Sequence, residues 1–189
     1  METLIEGRCS WCAGDDDYIA YHVNEWGRFK TDEKELFEMI VLEGAQAGLN
    51  WLTILKRRED YRKAFHQFEP EKVAIMTDED VERLMLDAGI IRNRLKIKSA
   101  ITNASAFMRV QEEFGSFFSY IESFLPDGRP IVKHFKSLSE IPASTELSDR
   151  ISRDMKRRGF KFFGTTICYA FLQSSGFVND HLIGCKCRK

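Results

Sequence analysis

Two short stretches concentrate the side chains capable of chemistry. Residues 9–26 hold Cys9, Trp11, Cys12, Tyr18, Tyr21, His22 and Trp26, and residues 181–187 hold His181, Cys185 and Cys187; Glu43 and Trp51 lie between them. Thiols and imidazoles in this number are the donors a tetrahedral zinc site uses. His181 and Cys185 have good local spacing, whereas Cys9 and His22 are further apart and 158 residues separate the two histidines. No simple finger pattern matches that gap. Closing such a loop costs about 4–5 kcal/mol, and structural zinc binding contributes ~10–16 kcal/mol, so a metal is able to pin the two ends of the chain together. Spacing leaves open a four-cysteine site from Cys9, Cys12, Cys185 and Cys187, and also a set of buried thiols beside two unrelated histidines. The fifth thiol, Cys168, makes the count odd, which speaks against a disulfide framework.

The aromatic residues point to a second chemistry. All three tryptophans lie within the first 51 residues, beside Tyr18 and Tyr21. If that stretch is helical, the two phenols, three residues apart, share a face. Indoles and phenols around one acid suit a flat cationic ring, through stacking and cation–π attraction. Glu43 is the candidate acid, set in an otherwise apolar run from Ile40 to Ala45. Core packing is the competing reading, and it is preferred for Trp26.

A third feature is the run from Met155 to Thr166, which reads as helix, glycine-bounded turn, helix. A tight turn opening a helix presents free backbone N–H groups and a positive dipole end, which bind phosphate. An ordinary αα-hairpin has the same pattern. Charge favours a polyanion: residues 1–91 hold 11 bases and 20 acids, whereas residues 92–189 hold 17 bases and 9 acids, hidden within a net charge of −1.

The elements that must position these groups are helical. Of the 189 residues, 43% are hydrophobic and 30% charged, enough apolar content for a packed core and against disorder. Thr31 or Asp32 caps a helix through Ala45 that Gly48 ends. Asn50 caps another to about Phe65, and Pro70 opens a short one over Val73 to Met76. Thr77 and Asp80 form a capping-box pattern for a helix that Gly89 ends. Further helices are predicted from about Arg92 to Glu113, Phe117 to Leu125, Glu146 to Arg158 and Thr165 to Ser175. Alternating strand patterns are nearly absent, so the fold class is all-α. Apolar runs are far shorter than the ~20 residues that span a bilayer, and the acidic start is unlike a signal peptide; a cytoplasmic protein is expected.

Five segments together resemble the DNA-3-methyladenine glycosylase I family, a divergent branch of the helix-hairpin-helix glycosylases. They are Tyr18–Gly27, Leu42–Trp51, Asp87–Arg92, Arg158–Thr166 and Asn179–His181. The resemblance runs from about Arg8 to Cys187 and is specific as a combination. It implies one domain over residues 1–189, with a helical body at about 30–175 and terminal segments 1–29 and 176–189 tied by one structural zinc. The implied zinc ligands are Cys9, His22, His181 and Cys185, which sets aside Cys12 and Cys187. The implied activity is excision of 3-methyladenine from double-stranded alkylated DNA by a monomeric enzyme, leaving an abasic site. Glu43, Tyr21 and Trp51 fall on the family's base pocket, with Trp11 and Tyr18 as further walls and Leu49 as the wedge into the base stack. The DNA anchor falls on Gly159, Lys161, Gly164 and Thr165. Two departures stand out: Val23 occupies the place of a usual acid, and Phe162 that of a glycine in the wider superfamily. The wider superfamily's catalytic aspartate is absent from this branch, and Asp180 is not assigned that role. A zinc-stabilised DNA-binding module and a small-molecule enzyme are the rival readings.

Overall fold

The computed structural model describes residues 3–188. In chain order the helices are α1 (Asp16–Asn24), α2 (Glu33–Gln46), α3 (Trp51–Leu55), α4 (Arg58–Ala64), α5 (Pro70–Ala74), α6 (Asp78–Leu86), α7 (Arg94–Phe114), α8 (Phe117–Glu122), α9 (Glu146–Arg157) and α10 (Thr165–Ser174). Among the described residues two pairs of two-residue strands accompany them. β1 (Leu4–Ile5) pairs antiparallel with β2 (Arg8–Cys9), and β3 (Ile131–Val132) pairs in parallel with β4 (Val178–Asn179).

Local signals account for most helix starts. The Asp32 side chain accepts from Glu35 N at 2.9 Å, Asn50 from Leu52 N at 2.7 Å and Ser116 from Ser119 N at 2.9 Å, each satisfying a backbone donor that a helix leaves orphaned. The capping box forms as expected: Asp80 N donates to the Thr77 hydroxyl at 3.4 Å and Thr77 N to the Asp80 carboxylate at 2.9 Å. The single helix expected from Asn50 to about Phe65 is instead α3 and α4, with Arg57 at φ −104°, ψ 2° between them. Arg57 donates to Ala88 O at 2.6 Å across that break, a long-range contact invisible in the local pattern. The short strands differ from the all-α expectation; the first pair is a hairpin within the N-terminal segment, and the second joins the C-terminal segment to the loop after α8.

The core centres on α2, which is buried without interruption from Leu36 to Ala45, as a helix surrounded by others must be. Phe107 of α7 bridges Phe37 of α2 (5.3 Å between ring centres) and Phe117 of α8 (4.5 Å). The Glu33 carboxylate, from the start of α2, accepts from Phe117 N at 2.7 Å and Phe118 N at 2.9 Å, so an acid on α2 caps α8. The ends of the chain meet: Lys186 N donates to Gly7 O at 2.8 Å, and Leu182 N to Cys9 Sγ at 3.5 Å. Among the described residues no helix is long and apolar enough to cross a membrane.

Candidate active site and metal centre

The predicted pair Tyr18 and Tyr21 does share a face, because residues 16–24 form α1, opened by Asp15 accepting from Asp17 N and Tyr18 N. That face turns toward α2 and α3 and walls a cavity of about 240 Å³. Trp11, Tyr18, Tyr21, Glu43 and Trp51, all expected there, line it together. Trp11 packs edge-on to Tyr18 (4.9 Å) and to Trp26 (5.0 Å), and Tyr21 lies 5.4 Å from Trp51. Trp26 belongs to the hydrophobic core, as its core reading holds, and also lines the cavity.

Glu43 is 2% exposed, so the acid faces the cavity and not bulk solvent. Burial pushes its pKa up to about 8, with the Ser174 hydroxyl pulling the other way. One of its carboxylate oxygens, Oε2, has no hydrogen-bond partner, and neither has Trp51 Nε1. A buried carboxyl without a positive neighbour is held in its neutral form, and a cation entering the cavity reverses that balance. Burial and Glu43 hold the Tyr21 phenol well above its ordinary pKa, so Tyr21 remains an O–H donor.

Four lining residues were not anticipated: Gln46, Ile141, Ala170 and Gln173. Gln46 had a usable signal, since it stands three residues after Glu43 on the same helical face. Gln173 and Ala170 come from α10, and no local pattern brings α10 to α1. Gln173 Nε2 donates to Asp180 Oδ2 at 2.7 Å, and the Tyr169 hydroxyl donates to the same oxygen. Asp180 is thus buried behind the cavity wall with its pKa raised by burial, and it does not line the cavity.

Leu49 lies outside the cavity, 41% exposed on the loop between α2 and α3, next to Gly48 at φ +77°. The hairpin connects α9 to α10. Gly159 takes φ +100°, a conformation suited to glycine, and Phe162 takes φ +50° while partly exposed; a residue with a side chain there is strained by roughly 1 kcal/mol. Gly164 occupies the N-cap of α10 and supplies no side-chain cap. The Lys161 side chain is exposed. The Thr165 hydroxyl is committed to Asp149 and Ser148, so Thr165 offers a ligand its backbone N–H and not its side chain.

The structure brings together a buried group able to hold a metal, and its members differ by one residue from the expected set. His22, His181, Cys185 and Cys187 place their ligand atoms within 4.8 Å of one another, all buried. Cys187 therefore stands in the group where Cys9 was expected. The chain turns at Gly184 (φ +88°), and Arg188 N donates to Cys185 O at 3.1 Å, which brings residues 185 and 187 to the same inner side. Cys9 is close by, against Cys185 and under Leu182 N; its thiol is pushed up to about 12 by burial. Cys12 donates to Cys9 O at 3.1 Å and is outside the group. These residues fit zinc. A tetrahedron with Zn–N near 2.0 Å and Zn–S near 2.3 Å spaces its ligand atoms about 3.3–3.8 Å apart, a small contraction of what is present. His181 Nδ1 is 2.9 Å from Asn179 Oδ1, and Nε2 is buried without a partner, the arrangement that orients an imidazole for a metal. His22 and His181 both have pKa values lowered to about 4, mainly by burial, so both rings are neutral and able to ligate.

The metal group and the cavity share a wall. His22 packs edge-on to Trp11 at 5.1 Å, and Trp26 packs edge-on to His181 at 4.6 Å.

Comparison with known proteins agrees with this geometry. The sequence pattern of the methyladenine glycosylase family matches residues 11–189. The chain is 56% identical over 180 residues to DNA-3-methyladenine glycosylase 1 of Escherichia coli (strain K12), covering 95% of this chain and 96% of that protein. It is 46% identical to the DNA-3-methyladenine glycosylase of Haemophilus influenzae, covering 96% and 97%. Among solved structures, a crystal structure of 3-methyladenine DNA glycosylase I superposes with a TM-score of 0.92 at 52% identity, over 96% of this chain and all of that one. A Staphylococcus aureus 3-methyladenine DNA glycosylase I structure on 3-methyladenine recognition gives 0.93 at 35% identity, over 97% of each. The matched span, residues 11–189, includes every position that walls the cavity, and the chain belongs to the methyladenine glycosylase family.

Proposed function

We infer that this protein excises 3-methyladenine from alkylated double-stranded DNA, acting as a single-domain monomer in the cytoplasm. The observation that carries the reading is the buried, half-partnered Glu43 carboxyl inside a cavity walled by indoles and phenols. Methylation at N3 makes adenine cationic in the nucleotide and so a good leaving group. The nucleotide is flipped from the duplex, which costs a few kcal/mol. Leu49 enters the gap in the stack. The hairpin amides around Gly159, Gly164 and Thr165, with Lys161, hold a backbone phosphate.

In the cavity Trp51 stacks on the ring, Glu43 accepts hydrogen bonds from it, Tyr21 donates its hydroxyl, and Trp11 and Tyr18 close the sides. The cationic ring stabilises the Glu43 carboxylate, which gives its proton to solvent as the base arrives. The C1′–N9 bond breaks with its electron pair leaving on the base, whose charge is neutralised. Water adds to C1′ as the sugar gains oxocarbenium character and releases its proton to solvent, leaving an abasic site. One zinc, held by His22, His181, Cys185 and a second thiol, supplies a structural tie between the ends of the chain and takes no part in these steps.

Chromatography of bases released from methylated duplex DNA tests the reading. Free 3-methyladenine without unmodified adenine is expected. DNA binding with no released base would favour a non-catalytic binding module instead.

A further inference from the structure

The two loops proposed to meet DNA, the hairpin and the Leu49 loop, are both gripped by one helix that does not line the cavity. On α7, Asn103 is 2% exposed; its Nδ2 donates to Lys161 O at 3.0 Å, and its Oδ1 accepts from Lys161 N at 2.7 Å. That pair of bonds imitates a strand partner and holds the hairpin backbone at its middle residue. Two turns earlier on α7, Lys96 Nζ donates to Ala45 O at 2.8 Å and Ala47 O at 2.6 Å. Those are the last carbonyls of α2, orphaned at the negative end of the helix dipole, and Ala47 lies two residues before Leu49. Seven residues on a helix return to nearly the same face and advance about 10 Å, so the two grips lie side by side. Further along α7, Arg109 donates to Arg158 O at 3.2 Å at the entry to the hairpin. The hairpin also abuts α2 a turn before the Leu49 loop, since a Cβ on Gly44 would stand 3.4 Å from Phe162 O.

We propose that α7 is a bracket setting the distance between wedge and phosphate anchor, with Asn103 and Lys96 as positioning residues for DNA engagement and base flipping. The inference rests on the DNA-contact reading of Leu49 and the hairpin. Its two ends have different signatures. Freeing the hairpin loosens the hold on the duplex, whereas freeing the Leu49 loop leaves the duplex held but slows flipping. Lys96, Asn103 and the residues whose backbone they hold do not line the cavity, and Gln46 between Ala45 and Ala47 is its one near neighbour there, so binding of the free base is spared.

The test measures three quantities in the full-length protein. These are the Kd for a duplex carrying an abasic-site analogue, the single-turnover excision rate at saturating methylated duplex, and the affinity for free 3-methyladenine by tryptophan fluorescence. Asn103→Leu, with Asn103→Ala serving if the larger side chain disrupts folding, is expected to raise the duplex Kd about tenfold or more. It should also lower the salt slope by about one contact. Lys96→Met is expected to lower the single-turnover rate roughly tenfold with the duplex Kd changed less than threefold, and Lys96→Arg to restore most of it. Both should bind free 3-methyladenine within twofold of the parent. Lys161→Glu and Leu49→Ala are the controls. If the controls are impaired while folded Lys96 and Asn103 variants match the parent, the bracket is refuted and the DNA face stands. Loss of free-base affinity in step with the DNA functions also refutes it, as general loosening. If the controls themselves are silent, the DNA face is misplaced and the bracket falls with it.

Discussion

Replacing Glu43 by Gln should make the protein more stable while slowing its excision of the base. The amide has the size of the acid and carries no charge in the cavity. In the unfolded chain the carboxyl titrates at 4.5, and burial raises it to about 8 in the native state. Between those values the native protein holds a proton that the unfolded chain has released. Wild-type stability relative to the Gln variant is therefore complete below pH 4.5 and declines as pH rises through about 8. The difference comes to about 3 kcal/mol at pH 7 and about 5 kcal/mol above pH 8. For a chain of this size each kcal/mol moves Tm by roughly 2–4 °C, so Glu43→Gln should melt about 6–12 °C higher at pH 7 and at nearly the wild-type temperature at pH 4.5. Excision should fall about 10- to 100-fold, the value of hydrogen bonds to a charged acceptor. Thermal unfolding followed by circular dichroism from pH 4.5 to 8, paired with base release from methylated DNA, gives both quantities. Parallel pH curves for the two proteins, with no gain for the variant at pH 8, would refute the claim that burial holds this carboxyl neutral.

Further outcomes follow from the same structure. Zinc content should approach one ion per chain, and of Cys9→Ser and Cys187→Ser the one that removes the fourth ligand should lose the ion in a chelator competition while the other retains it. Gly27→Ala should also weaken metal retention, because Gly27 sits at φ +71° and a Cβ there would stand 2.7 Å from the His181 ring. Trp51→Ala should weaken binding of free 3-methyladenine by roughly 10- to 100-fold, the stacking contribution of one aromatic ring, as read by calorimetry. Lys161→Ala should lower the slope of log Kd against log salt by about one, and equally for all duplex sequences, if it contacts phosphate.

What the sequence made legible is local. The caps at Asp32, Asn50, Thr77 and Ser116 lie within four residues of the donors they satisfy, and the Tyr18–Tyr21 face follows from helical period alone. Glu43 was conspicuous because a lone acid in an apolar helix demands a reason. The other wall of the cavity was hidden because Gln173 and Ala170 reach it only through the packing of α10, more than 100 residues away in the chain. Cys187 comes beside His22, His181 and Cys185 through a turn after Gly184 that spacing does not encode. The roles of Lys96 and Asn103 were hidden for the same reason: in the sequence they are one surface lysine in a basic run and one asparagine in a long amphipathic helix. Periodicity reports which face is buried and not which backbone it holds.

The wall that the indoles share with the imidazoles also has a spectroscopic consequence. Trp11 lies against His22 and Trp26 against His181. Any change at those imidazoles alters the surroundings of two of the three tryptophans. Indole emission should therefore register events on both sides of the wall, so that a chelator titration and a free-base titration are each visible in the same signal.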